Sequence, residues 1–213
     1  RYQGGNNAGH TVVNERGKFI LNLLPSGILR PETVNIMGPG MVIDIEHLTN
    51  EIARLREGGI EITPDHLKIS DKAVICMPYH KLLDCLEEDR LGDAKFGSTR
   101  RGISPVYADK YMKKAFRMGD LLYSKDVLEK KLTGILEWKN LTVAEGYKHE
   151  PILVSDMLDW FEKYGYHFRD YICDTTRYLT DAVDAGKSVM FEAQLGALRD
   201  IDYGIYPYTS ASS

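Results

Sequence analysis

An α/β architecture, a mostly parallel sheet covered by helices, is what the residue pattern predicts for this chain of 213 residues. Three observations lead there. Strand-like apolar runs alternate with amphipathic helical periods along the whole length. SVMFEAQ (188–194) has the continuous apolar character of a strand buried on both faces. Three segments, RYQGGNNAGH (1–10), FGSTRRGISP (96–105) and FEAQLGALRDID (191–202), carry glycines where a strand would end, the edge of such a sheet at which ligands collect. Residues 1–213 are expected to form a single, partial domain with a mainly helical segment at about 106–185.

The elements follow in order. FILNLLPSG (19–27) reads as a short strand ending in a Pro/Ser/Gly turn. DIEHLTNEIARLREGG (44–59) opens at the N-cap Asp44, sets Ile45, Leu48, Ile52 and Leu55 on one face, and stops at a Gly pair. LKIS (67–70) and AVICM (73–77) are strand-like, and PYHKLLDCLEEDRLG (78–92) is a helix with Pro in its first turn. After a glycine-bearing loop at 97–105, helices are expected at 106–118, at 125–139 on Leu128, Leu132, Ile135 and Leu136, at 151–164 on Leu153, Met157, Trp160, Phe161 and Tyr164, and at 175–185.

Composition narrows the function. With 43% hydrophobic residues, 27% charged and a formal charge of -4, the chain is ordinary for a globular protein, and nothing in its charge favours nucleic acid or an anionic membrane as partner. Cys76, Cys85 and Cys173 form no C-x-x-C pair, so free buried thiols in a reducing cytoplasm are expected rather than disulfides or structural zinc. The apolar stretches fall well short of the ~20 residues of a membrane span, and nothing at the start resembles a signal peptide. A cytoplasmic location follows.

GKS (186–188) has the look of a P-loop ending, but the motif needs a glycine at position 181, where Asp stands, and a helix afterwards. A helix-stop glycine with an exposed Lys187 is the better reading. In GGNNAGHT the glycines let backbone amides approach an anion, Asn6 and Asn7 can pair with a ligand edge, and His10 suits proton transfer near neutral pH. GSTRRG (97–102) joins the Ser98 and Thr99 hydroxyls to turn amides and two arginine forks, a set suited to phosphate. KYMKKAFR (110–117) offers a basic helix face, and DIDYGIYPY (200–208) polar groups that line a cleft.

RYQGGNNAGHT, FGSTRRGISPVYADK with its downstream RMGDLL, FEAQLGALRDIDYGIYPYTSASS and LLPSGIL (23–29) together resemble, in order and spacing, the characteristic segments of adenylosuccinate synthetase. The similarity covers essentially the whole chain. It implies a P-loop-NTPase-like fold, here looking like the N-terminal half without the first strand, the GDEGKGK phosphate loop and the Asp that removes the N1 proton. It also implies the family's reaction, GTP-dependent ligation of L-aspartate to inosine monophosphate (IMP) through a 6-phosphoryl intermediate, in a homodimer with shared sites and with Mg2+.

Carried over by resemblance, His10 is the general acid between O6 and the γ-phosphate; Asn7, Ala8, Gly9 and His10 meet IMP; Gly9, His10 and Thr11 line the GTP phosphates; and the Gly9 carbonyl is a magnesium ligand. Thr99 matches a residue that binds the IMP phosphate. Lys113 stands where an Arg usually reaches across the dimer to that phosphate, and Ser210 where a Thr contacts the nucleotide. FEAQLG departs from the usual FEGAQG, so either Gln194 keeps the IMP contact after a one-residue shift or Leu195 occupies the slot. Arg100 replaces a common Gly and adds a charge beside the phosphate. Base choice depends partly on the absent Asp, so a deoxyguanylate-type substrate is an alternative. Alternatives of another class are a non-catalytic nucleotide-binding module and an inactive fragment.

Overall fold

The computed structural model describes residues 1–212. Two three-stranded parallel sheets and one antiparallel hairpin make up its strands. The first sheet takes β1 (Gln3–Gly4), β5 (Gly40–Ile43) and β7 (Val74–Ile75), in the order β1-β5-β7. The second takes β4 (Asn35–Met37), β6 (Leu67–Ser70) and β8 (Ile172–Cys173), with Asn35 opposite Leu67 and Ile69 opposite Ile172. The hairpin pairs β2 (His10–Asn14) with β3 (Gly17–Leu21), His10 opposite Leu21. The α/β class expected from the alternation is what the chain adopts.

Among the described residues six α-helices flank these strands: α1 (Ile45–Glu57), α2 (Pro78–Leu91), α3 (Ile103–Tyr111), α4 (Lys125–Asn140), α5 (Val154–Tyr164) and α6 (Thr175–Asp184). The Asp44 carboxylate accepts from His47 N at the start of α1, and Gly58 ends it, as the capping residues predict. Ile45, Leu48, Ile52 and Leu55 are buried, as are all four apolar residues expected on α4. With Met157, Trp160 and Phe161 of α5 they join one large apolar cluster. Each such side chain contributes about 1.5–3 kcal/mol by leaving water. A smaller cluster of Val42, Val74, Cys76, Ile103, Val106 and Tyr107 fastens α3 to the first sheet.

Four expectations are corrected. SVMFEAQ is no buried strand: Met190 and Phe191 are 83% and 71% exposed. An apolar run becomes a central strand only where strands pair it on both edges, and here a single backbone bond, from Tyr2 N to Glu192 O at 3.2 Å, ties the segment to the chain beside β1. The helix expected at 106–118 spans Ile103–Tyr111 and stops because Lys113 takes a left-handed φ of 63°. Lys113 and Lys114 therefore lie beyond the helix and share no face with Lys110. Leu153 precedes α5 and is exposed. Of the three thiols only Cys76 is buried, because Cys85 and Cys173 sit at half-covered positions.

Candidate active site

The first glycine-rich segment leaves β1 and returns as β2, and its side chains divide between interior and cavity. Asn6 turns inward, donating from Nδ2 to Asp44 Oδ2 at 3.0 Å, so it belongs to the support of α1 and not to a ligand edge. Asn7 faces the other way. Gln194 Nε2 donates to Asn7 Oδ1 at 2.6 Å and to Gly5 O at 3.2 Å, while Gly5 N donates to Gln194 Oε1 at 3.2 Å. Asn7 Nδ2 reaches Ser210 Oγ at 3.5 Å, a long contact that leaves the Asn7 amide free to donate elsewhere. Three positions drawn from opposite ends of the chain thus meet in one place.

Gly4 makes this possible. It has φ +87°, and a Cβ there would stand 1.9 Å from Gln194 Oε1. Only a residue without a side chain fits both the backbone and the neighbour.

Beside this cluster lies a cavity of about 190 Å³ lined by Arg1, Ala8, Gly9, His10, Ser26, Glu192, Ala193 and Gln194. His10, the first residue of β2, is half-buried, and its Nε2 is a buried polar atom without a hydrogen-bond partner. Burial pushes its imidazole below the ordinary value, and the Glu192 carboxylate works against that shift. Because His10 also lines the cavity, this nitrogen is free to pair with a group that enters it. Glu192 itself is fixed, accepting from both the backbone N and the hydroxyl of Ser26. Burial raises its carboxyl, yet the two Ser26 hydrogen bonds and the nearby His10 and Arg1 charges outweigh that and hold it below its usual value.

Of the residues expected at the site, Ala8, Gly9, His10 and Gln194 line the cavity, Asn7 joins it through Gln194, and Ser210 is linked in turn to Asn7. Thr11 alternates to the other side of β2 and is exposed. Thr99 and Lys113 are exposed and lie outside the cavity lining. Arg100 corrects its expectation: it turns back to Asp89, Nη2 to Oδ1 at 2.6 Å, and so brings no free charge to a phosphate. The tyrosines of DIDYGIYPY face water instead of a cleft, with Tyr203 92% exposed. Within FEAQLG it is Gln194 that meets Asn7.

Arg1, Ser26 and Glu192 were missed. Glu192 sits within a segment already marked by its glycines, but only the packing of Ser26 against it shows that its carboxylate faces the His10 cavity. The Gly9 carbonyl offers one oxygen where Mg2+ demands about six. No group of three His, Cys, Asp or Glu side chains able to hold a metal exists among the described residues. These residues do not build a magnesium site of their own.

The adenylosuccinate synthetase family model matches residues 1–213. Adenylosuccinate synthetases of Lactococcus lactis subsp. lactis (strain IL1403) and Halothermothrix orenii are each 44% identical over 213 residues, which is 100% of this chain and 49% of theirs. The fully ligated adenylosuccinate synthetase of Plasmodium falciparum superposes with a TM-score of 0.87 at 30% identity, covering 100% of this chain and 48% of that one. A succinoaminodeoxyadenylate synthetase of cyanophage S-2L, bound to dGMP and dATP, shares the fold at a TM-score of 0.58 and 21% identity, over 99% of this chain and 47% of its own. The chain thus spans about half the length of the relatives it matches. With a family match running from its first residue to its last, the chain belongs to the adenylosuccinate synthetase family.

Proposed function

We propose that this chain is part of a cytoplasmic, GTP-dependent ligase of purine biosynthesis that joins L-aspartate to IMP, giving adenylosuccinate, GDP and phosphate. One observation carries the reading: Asn7, Gln194 and Ser210 converge beside a cavity into which His10 presents an unpaired nitrogen. His10 is the proposed general acid. An imidazolium between O6 and the γ-phosphate stabilises charge that develops during phosphoryl transfer, in a partly desolvated place where such a donor is worth most. Burial works against the protonated ring, and Glu192, facing the same cavity, offsets part of that effect. Asn7, with Ala8, Gly9 and His10, orients the base; Ser210 and Gln194 hold Asn7; and Gly9, His10 and Thr11 border the GTP phosphates.

Thr99 is proposed to take the IMP phosphate, with Lys113 of a second subunit in a homodimer sharing its sites. Magnesium is proposed only as a companion of the nucleotide phosphates that passes the Gly9 carbonyl. The large apolar cluster draws on strands and helices from residue 21 to residue 171, which supports reading the chain as one partial domain. Nucleic acid and membrane are not proposed as partners, and no helix among the described residues is long and apolar enough to cross a membrane.

The test is synthesis by the full-length protein, which should require IMP, GTP and aspartate together. Product formed with any one omitted would refute the reading. The 213-residue chain alone should give no turnover, since no GDEGKGK-type phosphate loop occurs in its residues.

A further inference from the structure

The loop that carries Thr99 is fastened from behind by two carboxylates of α2. Asp84 accepts from Ser98 Oγ at 2.6 Å through Oδ1 and from Gly102 N at 2.8 Å through Oδ2. One helical turn on, Glu88 accepts from Phe96 N at 3.2 Å and from Gly97 N at 3.1 Å, one bond to each oxygen. Both residues are buried, 7% and 4% exposed. The charged contacts made by α2 elsewhere use His80, Lys81, Glu87, Asp89 and Arg90 and leave these two carboxylates to the loop.

A buried carboxylate without a cation is costly unless hydrogen bonds satisfy it, and here every one of the four oxygens is satisfied by residues 96–102. The dependence is mutual. Ser98 Oγ also accepts from Arg100 N at 3.0 Å, which tightens the turn. At the loop's end Gly102, φ +76°, lies so close to α2 that a Cβ would stand 2.8 Å from the His80 carbonyl carbon. The inward donors are thereby used up on α2, and Thr99, midway along the loop, stays exposed.

We propose that Asp84 and Glu88 are positioning residues that hold residues 96–102 in the shape in which Thr99 meets the phosphate of the nucleotide substrate. The proposal deepens the IMP reading above and rests on it. Neither carboxylate touches the substrate. A purely electrostatic role would have the opposite sign, because two negative charges behind a phosphate site repel the phosphate and their neutralisation would tighten binding.

Hydrogen-bond inventory separates the variants. Both partners of Glu88 are backbone N–H groups, which cannot reverse, so Glu88→Gln sets an amide NH2 against a donor and loses a bond. One partner of Asp84 is a hydroxyl, which can turn to accept from an amide, so Asp84→Asn keeps both links. Asp84→Ala loses both, and Ser98→Ala cuts the Ser98 link alone at a half-buried residue.

The experiment measures the affinity of the full-length protein for IMP and for inosine, the steady-state KM for IMP and kcat, and amide exchange over residues 96–102. Glu88→Gln and Asp84→Ala should weaken IMP binding about ten-fold. Asp84→Asn should stay within about three-fold and Ser98→Ala should fall between. Inosine affinity should not change, kcat at saturating IMP should hold, and exchange at Phe96 and Gly97 should quicken in Glu88→Gln. Tighter IMP binding, equal losses for IMP and inosine, or Asp84→Asn as damaging as Asp84→Ala would overturn the proposal while leaving the IMP reading intact. A wild-type protein that binds inosine as well as IMP would overturn that reading, and the positioning role with it.

Discussion

Gln194 donates to Asn7 at 2.6 Å across 187 positions of sequence. Its second N–H goes to Gly5 O and its carbonyl accepts from Gly5 N, so both donors of the side chain are spent inside the protein. What Gln194 has left for the proposed nucleotide is one lone pair, and its main effect is to aim the Asn7 amide. Gln194→Ala in the full-length enzyme should raise KM for IMP by about 3- to 10-fold, the worth of one such hydrogen bond. Leu195→Ala should change KM by less than two-fold on the same scale. Steady-state kinetics with IMP varied distinguishes the two, and the reverse order would return the contact to Leu195.

Gly4→Ala should damage the same cluster from the backbone side. The added Cβ overlaps Gln194 and the residue is left at φ +87°, a conformation that costs a side-chain-bearing residue about 1–2 kcal/mol. Gly59→Ala is the control, because Gly59 has φ +79° and open space around it. Denaturant melts should show a loss for both, and weakened IMP binding for Gly4→Ala alone.

His10→Ala should lower kcat of the full-length enzyme by about two to four orders of magnitude, the range for a general acid that also stabilises transferred charge. An effect confined to KM would make His10 a binding residue.

Lys113 is exposed and held just past the end of α3 by a left-handed turn, its position fixed by Lys113 N donating to Lys110 O at 3.2 Å and Lys114 N to Asp109 O at 2.9 Å. A side chain so placed can serve a neighbouring subunit. Lys113→Glu should weaken IMP binding strongly, because like charges would meet, and Lys113→Arg should preserve or improve it. Mixing Lys113→Glu chains with His10→Ala chains should restore activity at one site of each heterodimer. Heterodimers that form and stay inactive would show that Lys113 does not act across the interface.

Acid should loosen the junction of α2, α3 and α4. His80 accepts from Met77 N through Nδ1 at 2.9 Å and faces Asp109 Oδ2 through Nε2 at 2.9 Å, and Lys139 Nζ donates to Asp109 Oδ1 at 2.5 Å. Burial holds the His80 imidazole below its ordinary 6.5 even though Asp109 opposes the shift. Burial would raise the Asp109 carboxyl, but the bonds from His80 and Lys139 prevail and keep it below its ordinary 3.8. In both cases the unfolded chain binds protons more readily. The stability from His80 is therefore complete above pH 6.5 and is lost as pH falls toward its folded value. That from Asp109 is lost lower, as pH falls from 3.8 through its own folded value. Thermal melts from pH 8 to pH 4 should show Tm declining below about pH 6.5. At neutral pH Asp109→Asn, which leaves Lys139 unpaired, should cost about 3–5 kcal/mol in a denaturant titration.

What residue order determined by itself was local. The caps of α1, the buried stripe of α4, the strand LKIS at Leu67–Ser70 and the special character of the three glycine-bearing loops follow from period, turn chemistry and backbone freedom within a few residues. Those same local terms misread SVMFEAQ, because an apolar run fits a buried strand or an uncovered segment equally well until neighbouring strands decide. Tertiary structure alone decided that Asn6 supports a helix while Asn7 meets Gln194 beside the cavity, that Leu195 does not take that place, and that Arg100 is spent on Asp89. It alone brought Glu192 to the His10 cavity, and Asp84 and Glu88 beneath the Thr99 loop. The reason is physical: a polar side chain is assigned by the partner that satisfies it, and most of these partners are distant in the chain and become neighbours only when the core closes.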